Sequence, residues 1–428
     1  MSLFSTLYIG VSGMASNGAG IEVAGDNIAN VNTVGFKRTR ANFGDVIKES
    51  LESDASDSGI GSGSVLLGVS RLYSQGAMVG TGNNLDLAIS GEGFFVVNAN
   101  AGIDDVTLAY TRAGQFHIDN EGYIVNESNY RLQGHVADAN GDLTRTVSDL
   151  RITIENIQPK QSQQLALKMN LDNRVPVGGA FDPLQPDTTS DYTATVTVYD
   201  SVGKAYDARV YFKHVDNNLR PPADNWDIHV MIGDEVVMQQ ELGFDNTGSL
   251  IASNRVGGNW NPDVPAAQNV ALNLDAGPLR NPPITSGLEG ITSFASPSTV
   301  LSQSQDGFAA GSLVGIDIDE EGVLNARYSN GRTFQGGRVI LAKFNSKDGL
   351  RRVGENLYRE TQDSGPAALA EAATGGRGVV HQGTLEQSNV DISEEFIDMI
   401  RFQRAFQANS RTVTTTDELL VEVVNLKR

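Results

Sequence analysis

The side chains best placed to do chemistry cluster near the start of the chain. Residues 27–40 read NIANVNTVGFKRTR: Asn27, Asn30 and Asn32 come first, then Gly35 and Phe36, then Lys37, Arg38 and Arg40, the first basic residues in the sequence. Amides beside cations could cradle an anion, meet carboxylates, or join two structural pieces. With 52 acidic residues against 32 basic ones and a formal charge of -20, carboxylates of a neighbouring chain are the expected partners. The other candidates offer less. His117, His135, His214, His229 and His381 are scattered without ligand spacing. Asp317-Ile318-Asp319-Glu320-Glu321-Gly322 resembles a calcium loop, but Tyr328 stands where the bidentate glutamate belongs, so a turn between strands is expected; Asp138, Asn140 and Asp142 read the same way. Glu394 and Glu395 read as the acidic first turn of a helix rather than an acid–base pair.

No phosphate loop, nucleophile elbow or dinucleotide fingerprint occurs, and there is no cysteine for a disulfide, a thiolate metal site or a nucleophile. No enzyme activity, cofactor or metal is expected. The acidic balance argues against nucleic acid as a partner. No apolar run reaches the ~18 residues of a membrane span. Gly10, Gly13, Gly18 and Gly20 interrupt the start of the chain and nothing basic precedes Lys37, so no cleaved signal peptide is expected.

The elements that must position the cluster lie at the two ends. Steps of four and three from Leu3 pass through Leu7, Gly10, Met14, Asn17, Ile21, Ala24, Ile28 and Val31, a heptad-like apolar seam. The same stepping at the other end passes through Ile392, Phe396, Met399, Gln403, Phe406, Ser410, Val413, Asp417, Leu420 and Val424. Ser393 is the expected N-cap there, with Lys427 and Arg428 at the favourable far end. The two seams are expected to pair. About seven apolar side chains buried at ~1.5–3 kcal/mol each give roughly 10–20 kcal/mol, less than the cost of ordering both helices, so the pair should need other chains around it.

Between the ends the chain reads as β. FFVVN, YTRAGQFHID, GYIVN and YRLQGHVAD between 94 and 138 are short strands with turn punctuation, and a similar texture returns at 313–344. Of the 13 prolines all but Pro366 lie between Pro159 and Pro297, with both tryptophans, which marks an inserted region containing a hairpin at 191–215. The expected fold is mainly β and multidomain, with paired N- and C-terminal helices forming a coiled-coil-like core and the domains nested. The expected division is 1–30 with 390–428 (helical core), 31–70 with 376–389 (linker), 71–147 with 300–375 (outer β domain) and 148–299 (inserted β domain).

Several long motifs resemble a known family. LYIGVSGMASNGAGIEVAGDNIANVNTVGFKRTR at 7–40, NNLDLAISGEGFFVV at 83–97, YTRAGQFHIDNEGYIVN at 110–126 and GTLEQSNVDISEEFIDMIRFQRAFQANSRTVTTTDELL at 383–420 are similar to the signatures of the bacterial flagellar rod and hook protein family. SQDGFAAGSLVGIDIDEEGVLNARYSNG at 304–331 narrows the likeness to the hook branch. Asn17 to Gly20 depart from the more apolar family pattern, which should loosen the first helix there.

The resemblance implies a subunit that assembles into a curved tubular homopolymer, a universal joint passing torque from rod to filament. Its terminal helices would line the channel and its inserted domain would lie outermost. It implies export by the flagellar export apparatus to the extracellular hook, with the distal rod protein, the hook cap and the hook–filament junction protein as further partners. Residues 27–40 would then be a joint: the helix closes with a left-handed Asn30, Gly35 turns the chain, Phe36 anchors it, and Lys37, Arg38 and Arg40 face other subunits. The rival readings are a distal rod protein, which would form straight tubes, and a secreted β-rich adhesin, whose terminal heptads would be dispensable.

Overall fold

The computed structural model describes residues 3–47, 61–99, 107–137, 143–152, 156–216, 224–262, 270–279 and 285–426. Asp138, Asn140, Asp142, Lys427 and Arg428 lie outside them. The fold is mainly β with two long terminal helices, in two compact units. One comprises residues 1–154, 315–327 and 333–428; the other comprises 155–314 and 328–332.

In the first unit the N-terminal helix spans Leu3–Ala29 and the C-terminal helix Ile392–Leu426. The second has neither glycine nor proline over 35 residues, a length of roughly 50 Å. Its run of threonines is accommodated because Thr412, Thr414, Thr415 and Thr416 turn their hydroxyls back onto carbonyls one turn earlier. The cap is Asp391 rather than Ser393: its Oδ1 accepts the backbone N–H groups of Ser393 at 2.7 Å and Glu394 at 3.3 Å. The N-terminal helix runs unbroken through Asn17–Gly20, where the family departure suggested loosening. No described helix is long and apolar enough to cross a membrane.

Beyond the helices, Thr39–Ile47 pairs antiparallel with Gly61–Arg71 in a two-stranded ribbon. The main sheet runs Thr333–Lys343, Arg131–Ala137, Phe94–Asn98, Leu108–Thr111 and Leu357–Arg359 in order. FFVVN is buried at every position, as a strand covered on both faces must be. Phe94, Tyr110, Phe344 and Tyr358 meet edge to face around it. Two short pairings bring the chain's two halves together: Met78–Gly80 with Thr384–Glu386, and Leu87–Ser90 with Val379–Gln382. The calcium-like stretch is a turn, with Asp319 Oδ1 accepting the N–H groups of Glu321 and Val323.

The second unit holds a five-stranded antiparallel meander, Tyr192–Tyr199, Ala205–Val215, Asp224–Ile232, Glu235–Phe244 and Leu250–Gly257. The expected hairpin is its first pair, with Gly203 at φ +89° in the turn. Gln164–Asp172 centres a smaller sheet, and its alternation buries Leu165, Leu167, Met169 and Leu171 in one core with Val196, Val210, Trp226, Ile228 and Leu242. The boundaries differ from those read off composition. Thr299–Gln305 pairs with Gln164–Asp172 and so belongs to the second unit. Leu143–Asp149 pairs with Arg131–Ala137, and the buried Leu150 and Ile152 follow it in the first. Proline content marks the middle of an insertion, whereas strand pairing decides its ends.

Candidate functional site

The two terminal helices meet through glycine. They run antiparallel: Gly13, Gly20 and Asn27 meet Asn409, Phe402 and Glu395 in turn, a step of seven along one helix answering a step of seven down the other. A Cβ on Gly20 would lie 2.8 Å from the Phe402 ring, one on Gly13 2.6 Å from the Asn409 amide, and one on Gly10 2.8 Å from Val413. No such hydrogen-for-methyl exchange fits a packed contact.

The expected pairing of the two terminal helices is borne out, with glycine on one side of the closest contacts. Of the seam residues Val413 packs on the partner helix through Gly10. Leu7, Met14, Ile21, Ile28, Met399 and Leu420 are half-buried, while Ile392, Phe396 and Phe406 are exposed, at 44%, 49% and 39%. The side chains of Leu3 and Val424 fall outside the described residues. Heptad reading weights large side chains, but glycines let the two backbones approach closely at Gly10, Gly13 and Gly20.

At the end of the helix pair lies the Asn27–Arg40 cluster. Asn27 is buried and works in two directions. Its Oδ1 accepts the backbone N–H of Thr39 at 2.9 Å, while its Nδ2 donates to the Thr39 carbonyl at 2.8 Å and to Glu395 Oε2 at 3.1 Å. One amide thus ties the first helix, the ribbon and the second helix together. Asn30 closes the helix differently from the left-handed cap expected, since the positive-φ residues do not include it. Its Nδ2 donates to the Asp26 carbonyl at 2.8 Å. Asn32 is exposed. Gly35 has φ +71°, and a Cβ there would sit 2.6 Å from the Arg112–Ala113 backbone. Phe36 is buried beneath the Arg352 guanidinium, 5.3 Å from the ring centre.

Lys37 and Arg38 meet carboxylates of their own chain, not of another. Lys37 Nζ, buried, lies 2.6 Å from Glu386 Oε1 and donates to the Ser74 carbonyl at 2.8 Å. Arg112 Nη1 reaches the other Glu386 oxygen at 3.2 Å, and the Gly76 N–H donates to Oε1 at 3.0 Å. Two cations therefore share one buried carboxylate. Burial holds the Lys37 ammonium below the usual lysine range, against the opposing pull of Glu386. Arg38 forks over the start of the C-terminal helix: Glu394 at 2.6 Å, Glu395 at 2.5 Å and Asp398 at 3.4 Å. Arg40 is exposed.

Four participants were hidden in the sequence: Glu386, Arg112, Asn389 and the structural use of Glu395. Asn389 Oδ1 accepts the Arg38 N–H at 2.7 Å, and its Nδ2 donates to the Leu72 and Ser74 carbonyls. It mirrors Asn27 on the C-terminal side. The one available signal was position: Glu386 and Asn389 sit just before the C-terminal helix, as Lys37 and Arg38 sit just after the N-terminal one.

The outer faces of this construction are apolar. Phe4, Tyr8 and Val11 are exposed on the first helix, and Phe396, Ile397, Ile400, Leu419, Val421 and Val423 on the second. Val65, Leu67 and Val69 form an exposed row on the ribbon. The arrangement has the makings of an association surface carried on an ionically braced joint.

Comparison with known proteins gives a consistent set of likenesses. Residues 7–37 match the flagella basal body rod protein family, 88–170 the flagellar hook protein FlgE/F/G D1 domain, 170–308 the flagellar basal body protein FlaE D2 domain, and 381–426 the flagellar basal body rod FlgEFG protein C-terminal family. Flagellar hook protein FlgE of Borreliella burgdorferi is 34% identical over 99% of this chain and 100% of its own. That of Treponema pallidum is 34% identical over the whole of both chains, and that of Escherichia coli 30% identical over 97% of this chain and 98% of its own. The crystal structure of Helicobacter pylori flagellar hook protein FlgE2 shares the fold, with a TM-score of 0.53 at 17% identity, covering 72% of this chain and 100% of that one.

Proposed function

The chain belongs to the flagellar hook protein family and is a structural subunit of the bacterial flagellar hook, and we propose that it builds a curved tube by packing the outer faces of its helix pair against those of other copies. The observation that carries this reading is the row Phe396, Ile397 and Ile400, apolar and exposed on a helix whose inner face is already occupied by Gly13 and Gly20. A second copy can cover that row, and burying it makes assembly cooperative.

In this reading the tube is a universal joint that carries torque from rod to filament, stiff in twist through its helices and compliant in bending through its β surfaces. Residues 1–30 and 390–428 act as the polymer core, 31–70 and 376–389 as the linker, and the β regions as outer layers. The braced linker supports this: Lys37, Arg112 and Glu386 pass load from the helices into the sheet through buried ionic contacts. The role is positional, with no catalytic step. The chain would leave the cell through the flagellar export apparatus and act outside it, meeting the distal rod protein at one end of the tube and the cap and hook–filament junction proteins at the other. Its acidic surface keeps exported copies apart until they reach the growing end.

Electron microscopy of the purified full chain under polymerising conditions tests the proposal. Curved tubes are expected. Straight tubes would assign it to a rod, and persistent monomers would remove self-assembly as an intrinsic property.

A further inference from the structure

We propose that His214 is a doubly protonated imidazolium at neutral pH and serves as a latch on four segments of the second unit, closed at and below neutrality and loosened in alkali. This goes beyond the assembly reading and does not depend on it. His214, on strand Ala205–Val215, is 7% exposed. Its Nδ1 lies 2.6 Å from the Val175 carbonyl oxygen and its Nε2 2.5 Å from Asp224 Oδ1. A carbonyl only accepts, and so does an ionised carboxylate. A neutral imidazole has one N–H and would leave one of these short contacts without a proton; the imidazolium satisfies both.

Asp224 is kept ionised by its other oxygen, which accepts the Ser293 hydroxyl. Burial works against that charge, yet the bonds from His214 and Ser293 hold the carboxyl below its usual range. The remaining groups around the ring fit the same charge state. Asp191 accepts the His214 backbone N–H at 2.8 Å through Oδ2 and pairs with Lys213 at 3.1 Å through Oδ1. Arg174, next to Val175, is taken up by Asp172 at 2.8 Å. Asp227 on the Asp224 strand stands opposite Glu241 in the register. The Trp226 ring is stacked on the imidazole at 4.9 Å and 15°, a face that favours a cation.

The latch joins the turn after Gln164–Asp172, the strands Ala205–Val215 and Asp224–Ile232, and the strand Ile291–Phe294. The bond with Asp224, opposed by burial, raises the His214 value above that of free histidine. A charged form favoured by folding stabilises fully below the ordinary value of ~6.5 and is lost as pH climbs through the raised one.

Two measurements on the full chain, kept dilute and monomeric, decide the matter. In ring-selective proton–nitrogen NMR of the ¹⁵N-histidine-labelled protein at about pH 7.5, both His214 nitrogens are expected to carry protons, a state that a free histidine has mostly lost at that pH. An imidazolium stacked on an indole quenches it, so emission should brighten as pH is raised, with a midpoint above that of free histidine. The step should vanish in His214→Gln and move down by a unit or more in Asp224→Asn, which keeps an acceptor without its charge. A single protonated ring nitrogen at pH 7.5, or a native chain with no brightening between about pH 6 and 9, would overturn the proposal.

Discussion

At the scale of single residues the joint is unequal in its charges, and the inequality is testable. Glu386 is a single carboxylate that contacts two buried cations, Lys37 at 2.6 Å and Arg112 at 3.2 Å. Glu386→Gln leaves two cations facing each other without a counter-charge, and urea denaturation should show a loss of about 3–5 kcal/mol. Lys37→Met leaves the Arg112–Glu386 pair balanced, and the Ser74 carbonyl keeps the Asn389 amide as its donor, so its cost should be nearer about 1–2 kcal/mol. Equal losses would mean that charge balance does not govern the joint. The sequence exposed half of this arrangement. NIANVNTVGFKRTR announced amides and cations in a turn, but nothing local says that the partner of Lys37 lies 349 residues away at Glu386. Net acidity pointed to a carboxylate partner, and it was right about the chemistry and wrong about the chain that supplies it.

At the scale of elements, glycine decides the helix contact and strand register decides a titration. Gly20→Ala places a methyl 2.8 Å from the Phe402 ring, whereas Gly18 has nothing within 4 Å of where its Cβ would stand. The first should cost about 1–3 kcal/mol by pushing the helices apart. Gly18→Ala should stabilise by up to about 1 kcal/mol through helix propensity alone. Thermal melts of the two variants shifting in opposite directions would establish the interface.

In the second unit, register sets Asp227 directly opposite Glu241, and burial, then that neighbour, push the Asp227 carboxyl up to about 6. A carboxyl raised above its unfolded value destabilises the fold as pH rises through that window. Asp227→Asn should therefore stabilise the protein above about pH 6 and do little near pH 4, read from melts at each pH. Both terminal helices and the strands around 94–138, 191–215 and 313–344 were legible because periods of 3.6 and 2 survive in sequence. The helix interface was not, because a stripe of glycines looks like weakness in a helix until its partner is known.

At the scale of the whole molecule, the nested order was legible from the likeness of the two ends and the proline-rich middle. The limits of the insertion were not, because Thr299–Gln305 is assigned by its pairing with a strand over a hundred residues earlier. The helix pair gives the chain an inner face that closes on itself through Gly13, Gly20 and Asn27, and an outer face that does not close. Assembly of hook subunits through that outer face is the central claim. The most direct test is the double variant Phe396→Asp, Ile400→Asp, both positions exposed in the single chain. Circular dichroism should report a native fold and thermal stability, since neither side chain serves the core, while sedimentation and electron microscopy should find monomers where the unaltered chain gives tubes. Tubes of normal yield from the double variant would contradict the account and place the assembly contacts elsewhere.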